Sequence, residues 1–438
     1  MLSLLISPFI DQEEEEGLFL FVASDLHHQH RQQRRQPPLK MRQLLISCAE
    51  LVSQSDFPAA IRLLSILSSS SSPSGDSIER LVYQFVRALS LRINRLHHHH
   101  HHHHGLAGSS LMRMMNDISF PITSTADPVN YDIDPSLQSC YLSLNQITPF
   151  IRFAHLTANQ AILEAIQVGQ QCIHIIDFDI MHGVQWPPLM QALAERSANT
   201  HHPPPMLRIT GTGHDLNFLH RTGDRLFKFA QSLGLRFEFH PLLVLNEDPT
   251  WIATNFTSMV TILPDEALAV NCMLYLQRLL KDDSRDIRLF LHHMKALNPT
   301  VVTVAEREAN HNHPLFLQRF VEALDYYTAI FDSLEATLPP NSRERLAVEQ
   351  IWFGREIVDI VAAEGENRRE RHERLETWEV ILRSSGFINV PLSPFAHSQA
   401  KLLLRLHYPS EGYQLQIVNN CFFLGWQNRP LFSVSSWR

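Results

Sequence analysis

The stretch that decides the fold is Cys172–Trp186, which reads CIHIIDFDIMHGVQW. Its first half is a β-branched, apolar run that ends in Asp177, and its second half is a short loop. Val184–Arg196 then follows a helical pattern, with two prolines in the first turn, where a missing backbone N–H costs little. A buried strand ending in an acid, a loop and a helix N-terminus together form the layout of a nucleotide site. The stretch therefore predicts a strand–loop–helix unit at the centre of a Rossmann-type, methyltransferase-like α/β sheet.

The loop of this unit departs from a working cofactor site. A methyltransferase loop reads acid-x-Gly-x-Gly-x-Gly, because glycines let the backbone approach the ligand closely. Aligned on Asp177, the glycine positions hold Asp179, Met181 and Gly183, so two of the three glycines are absent. The second predicted strand also lacks an acid at its end, where one would hold ribose hydroxyls.

What remains around this loop is a degenerate pocket. Its residues are Asp177, Asp179, Gly183, Gly211 and Gly213. Doubly wound sheets place a pocket at the carboxyl ends of their strands, so a cavity can persist there. We expect no cofactor, no catalytic residue and no enzymatic activity. Two alternatives stay open: an S-adenosylmethionine-dependent methyltransferase, and a small-molecule sensor that uses the residual pocket.

Three side chains of the unit have ordinary structural interpretations. His174 lies inside the apolar strand, where a hydrogen-bonded core histidine is more common than a catalyst or a ligand. Trp186 is expected in the core with its indole N–H bonded, and Asp177 is expected to bind loop N–H groups. Elsewhere the sequence contains no Gly-x-Ser-x-Gly elbow, no P-loop and no His-Glu-x-x-His pair.

Strands and helices alternate after this unit, which predicts a mostly parallel sheet covered on both faces. The predicted strands are Met206–Thr210, Leu235–His240, Leu268–Tyr275 and Thr300–Glu306, and the helices include Leu216–Leu233 and Arg285–Leu297. Longer helices are expected at about 314–338 and 346–364. The C-terminal part instead shows three short strands separated by turns, Lys401–His407, Gln414–Val418 and Phe422–Trp426. They predict antiparallel pairs at an edge of the sheet.

Amphipathic helices precede the sheet. From Leu39 to Leu96, apolar residues recur at helical spacing, which predicts a helical cap. Such helices either cover the core or form a groove for dimerisation or a partner, and the pattern satisfies both demands equally. The leucines that would form a partner surface are Leu44, Leu45, Leu51, Leu63 and Leu64.

Three further segments have a biased composition. Residues 1–38 combine an acidic run with a Gln/His/Arg-rich stretch and are expected to form a disordered tail. Eight consecutive histidines at 97–104 are better explained as a loop insertion than as a metal site, and their role stays open. The run Glu364–Glu376 alternates glutamate and arginine, which is typical of a solvated helix face. Its residues Arg368, Arg371 and His372 could alternatively bridge to another chain.

The overall composition disfavours several classes of function. The 438 residues carry a formal net charge of −8 without a long basic stripe, so direct sequence-specific DNA binding is not expected. The five cysteines form no CxxC pair, which argues against a disulfide framework and a cysteine-based zinc site. No apolar run approaches the ~20 residues of a membrane span, and no secretory signal is recognisable. We expect a soluble intracellular protein without a bound metal.

Several motifs in a fixed order resemble those of the plant GRAS family of transcriptional regulators. The VHIID core corresponds to Ile173, His174, Ile175, Ile176 and Asp177, with isoleucine for the leading valine. The PFYRE region matches Pro314, Tyr327, Arg355 and Glu356, and the SAW region matches Ser435, Ser436 and Trp437. The resemblance covers about residues 40–438 and is strongest to the lateral suppressor branch.

The resemblance implies a domain organisation. A GRAS domain would span residues 39–438 and follow the tail 1–38. Its regions would be a leucine-rich helical cap at 39–120, a VHIID region at 140–222, a second leucine-rich region at 223–245, a PFYRE region at 268–373 and a SAW region at 374–438.

The resemblance also implies a function. GRAS proteins are nuclear regulators of transcription that often bind a DNA-binding partner such as a C2H2 zinc-finger factor, and they form homo- or heterodimers with other GRAS proteins. The lateral suppressor branch is associated with axillary meristem formation and hence shoot branching. The family pattern supplies neither catalytic residues nor a cofactor.

Overall fold

The computed structural model describes residues 38–101, 135–200, 202–244, 249–339 and 341–438. Residues 1–37 of the predicted tail, positions 102–104 of the histidine tract and Leu245 of the second leucine-rich region lie outside the described residues. Within the described ranges the chain forms a mixed α/β fold around one sheet.

Nine strands from the described part of the chain form this sheet. The five parallel strands are β1 (Cys172–Phe178), β2 (Met206–Gly213), β3 (Arg236–Leu243), β4 (Glu266–Met273) and β5 (Val301–Arg307). The antiparallel strands are β6 (Asn389–Val390), β7 (Tyr413–Val418), β8 (Cys421–Trp426) and β9 (Arg429–Trp437). The strand order is β3-β2-β1-β4-β5-β9-β8-β7, with β6 paired to β9. The predicted fold class, a mostly parallel sheet with antiparallel C-terminal strands, is confirmed.

Strand β1 is central because both of its faces are covered. Ile173, Ile175 and Ile176 are fully buried, and β1 pairs in parallel with β2 on one side and β4 on the other. An uninterrupted apolar run of this kind is typical of a parallel strand with helices over both faces. Successive strands therefore add first to one side of β1 and then to the other. Doubly wound sheets place their ligand crevice at such a switch point.

Helices cover the sheet and build the cap. Those between β1 and β5 are Trp186–Thr200, Leu216–Ser232, Pro249–Met259 and Arg285–Ala296. The N-terminal helices are α1 (Pro38–Ser53), α2 (Phe57–Ser69) and α3 (Ser77–His101), followed by Pro135–Ile147 and Pro149–Ala165. The later helices are Phe316–Thr337, Arg343–Ala347, Gly354–Ala362, Leu375–Ser384 and Pro394–His407, with a π turn at Val348–Phe353. Short 3₁₀ helices lie at Leu276–Leu279 and Gly365–Asn367.

The cap shares one hydrophobic core with part of the sheet. Phe85 of α3 meets Phe320 with ring centroids 5.4 Å apart. Leu45 and Leu64 are buried in the same cluster, so they are not available to a partner, and their place in the expected partner surface is wrong. The remaining leucines of that surface pack half-buried against the cluster: Leu44, Leu51 and Leu63.

One predicted strand is a helix. Lys401–His407 forms the end of the helix Pro394–His407 rather than an edge strand. Ser393 caps this helix by accepting the N–H of Ala396 at 3.1 Å, and a proline occupies its first position, where proline is favoured. Its buried residues recur at helical spacing: Ala396, Gln399, Ala400 and Leu403. The other two predicted C-terminal strands are confirmed as parts of β7 and β8.

Candidate functional site

The carboxylate at the end of β1 is buried and fully occupied by side-chain donors. The indole Nε1 of Trp186 donates to Asp177 Oδ2 at 2.8 Å, and Asn271 Nδ2 donates to Oδ1 at 2.7 Å. Burial raises the pKa of Asp177 to about 7, although both hydrogen bonds act in the opposite direction. The expected bond of Trp186 is confirmed, while Asp177 holds an indole and an amide rather than loop N–H groups.

A polar network extends from this carboxylate across three strands. Asn271 Nδ2 also donates to Gln185 Oε1 at 3.1 Å, and Thr303 Oγ1 donates to Asn271 Oδ1 at 2.9 Å. Asn159 Nδ2 in turn donates to the backbone oxygen of Gln185 at 2.7 Å. These polar side chains are all buried, and they connect β1, β4 and β5 with the helix Pro149–Ala165. Sequence reasoning missed Asn271, although an asparagine late in an apolar strand is a usable signal.

The loop after β1 keeps the backbone of a glycine-rich loop. Asp179 has φ 61°, Met181 has φ 50° and Gly183 has φ 66°, so all three aligned positions are left-handed. This conformation favours glycine because a Cβ atom crowds the following carbonyl. The loop therefore has the backbone geometry of a glycine-rich loop, although larger residues occupy two of its three left-handed positions.

Side chains fill the space that such a loop would offer a ligand. The Asp179 carboxylate pairs with Arg278 at 2.8 Å, and its backbone N–H donates to Thr212 Oγ1 at 2.7 Å. Met181 packs against the core shared with the cap. A Cβ atom at Gly211 would lie 2.9 Å from Ile180 Cδ1, so this glycine makes room for a side chain.

The other two glycines of the degenerate pocket serve the same purpose. A Cβ atom at Gly213 would lie 3.0 Å from Leu219, and one at Gly183 would lie 3.0 Å from Thr222. A cavity of about 100 Å³ remains between the loop and the cap, with Phe218 among its walls. Pockets that enclose drug-sized ligands occupy about 300–1,000 Å³. This cavity is too small to enclose a nucleoside-sized cofactor.

His174 is a core histidine, as expected. It is fully buried in β1, its Nε2 lies 2.8 Å from Thr210 Oγ1, and its Nδ1 lies 3.4 Å from Glu266 Oε2. Burial lowers the pKa of this imidazole to about 4, so the ring is neutral at physiological pH. Its position fits cross-strand packing rather than ligand binding.

The PFYRE residues separate into a buried pair and two outer positions. Tyr327 donates its hydroxyl to Glu356 Oε2 at 2.8 Å, and Arg307 also contacts Glu356. Burial raises the pKa of Glu356 to about 7. Arg355 is half-buried and lines the small cavity, whereas Pro314 is exposed. The structure thus brings together Tyr327 and Glu356, and it joins them to Arg307, which sequence reasoning had not selected.

The arginine-rich segment is buried, which corrects its interpretation as a solvated helix or a bridge to another chain. Arg368, Arg371 and His372 have exposed fractions of 5%, 2% and 0%, and residues 368–374, between the 3₁₀ turn and the next helix, are not helical. His372 Nδ1 lies 2.8 Å from His311 Nδ1, and its Nε2 lies 3.1 Å from Arg307 Nη1. The segment is held in place by contacts with residues about 60 positions away in the sequence. A periodic pattern within the segment cannot indicate such contacts.

The SAW residues belong to the sheet. Ser435, Ser436 and Trp437 lie in β9, which runs antiparallel to β5 on one side and β8 on the other. Trp437 is fully buried and donates its indole N–H to Ser435 Oγ at 2.8 Å. Their geometry supports a structural role.

The described residues contain no cluster of histidine, cysteine, aspartate or glutamate side chains arranged to hold a metal. In the same part of the chain, none of the helices is both long and apolar enough to cross a bilayer.

Comparison with known proteins gives a consistent result. The family model described as the GRAS domain family matches residues 41–438. Scarecrow-like protein 18 from Arabidopsis thaliana is 55% identical over 405 residues, covering 91% of each chain. Protein MONOCULM 1 from Oryza sativa subsp. japonica is 45% identical over 418 residues, covering 91% of this chain and 88% of the relative. The crystal structure of SCL7 from Oryza sativa superposes with a TM-score of 0.70 at 35% identity, covering 91% of this chain and 99% of that one.

Proposed function

The chain belongs to the GRAS domain family of plant transcriptional regulators, and we propose that it acts in the nucleus by binding DNA-binding transcription factors. The observation that carries this proposal is the filled loop after β1. Asp179 is paired with Arg278, and Ile180 and Met181 pack into the protein. The side chains of this loop therefore occupy the space that a cofactor would need. The relatives of this chain also belong to a family of regulators rather than a family of enzymes.

The electrostatics of the chain favour a protein partner over bare DNA. The net charge of −8 opposes binding to phosphates, because nonspecific DNA affinity comes from cations that displace counterions. A DNA-binding partner of the C2H2 zinc-finger type would supply the sequence specificity, and a second GRAS protein would form a homo- or heterodimer. We propose a role in axillary meristem formation and shoot branching, because the sequence resembles the lateral suppressor branch of the family.

A promoter reporter in plant protoplasts tests this proposal. The chain is expressed with a C2H2 zinc-finger factor, and the control is the same factor with its DNA-contacting residues replaced. We expect reporter output to change only with the intact factor, and the two proteins to co-precipitate. A response that is undiminished when every DNA-binding partner is absent would support direct DNA binding instead.

The competing hypothesis is an S-adenosylmethionine-dependent methyltransferase or a sensor that uses the residual pocket. Calorimetric titration with S-adenosylmethionine tests the methyltransferase hypothesis against the proposed regulator, because the cofactor would have to enter a cavity of about 100 Å³. We expect no binding tighter than millimolar, with the same result for Asp177→Ala. Micromolar binding that disappears in Asp177→Ala would revive the enzyme hypothesis.

A further inference from the structure

A second, larger cavity lies beside the filled loop. Its volume is about 750 Å³, within the range of about 300–1,000 Å³ typical of small-molecule sites. One wall is the end of the 3₁₀ helix Leu276–Leu279 with the loop that follows it, and the other, which we call the inner wall, is the segment Glu366–Arg371. The two cavities are adjacent and share His214, Arg278 and Glu370 on their linings, but none of the five residues of the degenerate pocket lines the larger one.

The inner wall carries a buried guanidinium without a carboxylate partner. Arg368 is 5% exposed and donates to the backbone oxygens of His311 at 3.1 Å and of His313 at 3.5 Å. In the described part of the chain it forms no ion pair, and its Nε has no hydrogen-bond partner. Burial, with Arg319 and Arg371 nearby, lowers the pKa of Arg368 to about 10. The group is still charged at neutral pH, and the nearby carboxylates of Glu364 and Asp282 offset this lowering only in part.

A second buried arginine reinforces this positive wall. Arg371 is 2% exposed, and it pairs at 3.0 Å with Asp282, whose side chain is 77% exposed. Its Nε donates to the backbone oxygen of Arg368 at 3.0 Å, and its Nη2 donates to that of Gly365 at 2.7 Å. These bonds fix the guanidinium, so the wall is organised before any ligand binds.

The acidic side chains on the lining are mostly compensated by local cations. Asp283 pairs with Arg285 at 2.7 Å, and Asp286 pairs with Lys281 at 3.1 Å. Burial acts to raise the pKa of Glu370, but a hydrogen bond with His372 and the nearby guanidinium groups of Arg307 and Arg278 hold it below its ordinary value. Glu366 on the same segment is exposed to solvent, so among the buried groups of the described lining the charge without a carboxylate partner is that of Arg368.

Part of the lining is apolar. Ile252, Leu279, Leu280 and Leu289 contribute hydrocarbon surface. Tyr275 is 5% exposed, and its hydroxyl has no hydrogen-bond partner among the described residues. A buried hydroxyl without a partner is costly, and a ligand oxygen would satisfy it.

From this arrangement we propose that the cavity binds a small organic anion, a carboxylate or phosphate attached to an apolar body. The anionic group sits against Arg368 and Arg371, where the guanidinium fork matches the geometry of either group. The apolar body of the ligand contacts Leu279, Leu280 and Leu289 of the lining. A nucleic-acid strand fits less well, because it requires exposed cations along an open groove, and both arginines are buried. This ligand site is independent of the partner contacts proposed above.

Calorimetric titration of the full chain with matched probes tests the proposal. The probes are 2-naphthoate, 2-naphthyl phosphate and the neutral 2-naphthamide, which share one apolar body. We expect saturable binding of at least one anion, with an affinity at least tenfold above that of the amide, and the stronger anion identifies the preferred group. No saturable binding of either anion, or equal affinities for anion and amide, would overturn the proposal.

Two variants localise the binding. Arg368→Gln should weaken the preferred anion at least tenfold and leave the amide unchanged, whereas Arg62→Gln, at an exposed position of α2, should change neither. If Arg368→Gln does not fold, Leu289→Trp decides the question, because Leu289 is 38% exposed on the lining and tolerates a larger side chain. We expect Leu289→Trp to melt like the wild type and to bind both anions at least tenfold more weakly. Unchanged anion affinity in a folded Arg368→Gln or Leu289→Trp protein would contradict the assignment.

Discussion

At the scale of single residues, the loop after β1 separates backbone geometry from side-chain chemistry. Asp179 and Met181 keep the left-handed conformation that glycine would adopt, and their side chains occupy the protein interior or pair with it. Each left-handed residue costs about 1–2 kcal/mol relative to a favourable conformation. The ion pair of Asp179 and the packing of Met181 offset this cost.

Two replacements of Asp179 isolate the backbone cost. Asp179→Gly and Asp179→Ala both lose the ion pair with Arg278, but only the glycine variant relieves the left-handed strain at φ 61°. We expect Asp179→Gly to be more stable than Asp179→Ala by about 1 kcal/mol in urea denaturation. Equal stability of the two variants would show that position 179 is not left-handed in solution.

A buried glutamate makes stability depend on pH. Glu306 accepts the N–H of Leu276 at 2.9 Å, its Oε2 has no partner among the described residues, and burial raises its pKa from 4.5 to about 8. Between pH 4.5 and 8 the folded state thus holds a proton that the unfolded state has released. This group therefore destabilises the protein progressively as pH rises through that window.

Glu306→Gln removes this titration. We expect its melting temperature to be close to that of the wild type at pH 5 and several degrees higher at pH 8.5, measured by circular dichroism. The other buried carboxylates titrate in both proteins, so the difference between them isolates Glu306. A variant that is less stable than the wild type at pH 8.5 would show that the ionised carboxylate is favoured in the folded state.

Residues that flank a recognisable element can be predicted from sequence, whereas their distant partners cannot. Asp177 and Trp186 were identifiable because they flank a recognisable strand and helix, and they do interact. Their partner Asn271 lies 94 positions from Asp177, and its side chain finds the carboxylate only once β4 is paired with β1. The contact between His311 and His372 likewise depends on tertiary packing.

At the scale of elements, β1 supports the whole sheet. Ile176 is fully buried, so Ile176→Asp should cost about 3–5 kcal/mol as an unpaired buried charge and prevent folding. Ile176→Val is the matched control, with an expected cost of about 0.5–1.5 kcal/mol. The yield of soluble protein and the free energy of unfolding in urea are measured for both variants. A soluble, folded Ile176→Asp protein would mean that β1 is not the central strand.

A buried ion pair joins the cap to the π turn Val348–Phe353. Arg80 of α3 is 2% exposed, and its Nε lies 2.6 Å from Glu349 Oε2. Arg80→Met should cost about 3–5 kcal/mol because it leaves Glu349 buried without this partner. We expect Arg80→Met/Glu349→Leu to recover at least 1 kcal/mol relative to the sum of the single changes, measured in a double-mutant cycle in urea. Strictly additive costs would argue against the pair.

Elements were predictable where local signals agreed. The alternation of apolar strands and amphipathic helices identified β1 to β5, because each signal is contained within one element. The helix Pro394–His407 was divided wrongly because the short run Lys401–His407 alone resembles a strand. Its cap at Ser393 lies eight residues upstream of that run, so the run itself contains no signal of a helix start.

At the scale of the whole molecule, the cap and the sheet form one structural unit. The cluster that contains Leu45, Leu64 and Phe85 also contains Tyr327 and Phe432, so the N-terminal helices complete the core. Sequence could not decide between a cap and a partner groove, because an amphipathic face suits both. The described structure assigns the buried leucines to the cap and leaves partner contacts to exposed positions.

Binding of promoter DNA by the purified full chain, alone and with a C2H2 zinc-finger partner, tests most directly whether this protein acts through protein contacts. The DNA is a fluorescein-labelled duplex from a responsive promoter, the readout is fluorescence anisotropy at physiological salt, and a scrambled duplex is the control. We expect no sequence-specific binding by the chain alone, and a further rise in anisotropy when it is added to the partner bound to DNA. Saturable binding of the chain alone that prefers the promoter duplex would contradict the proposed mode of action.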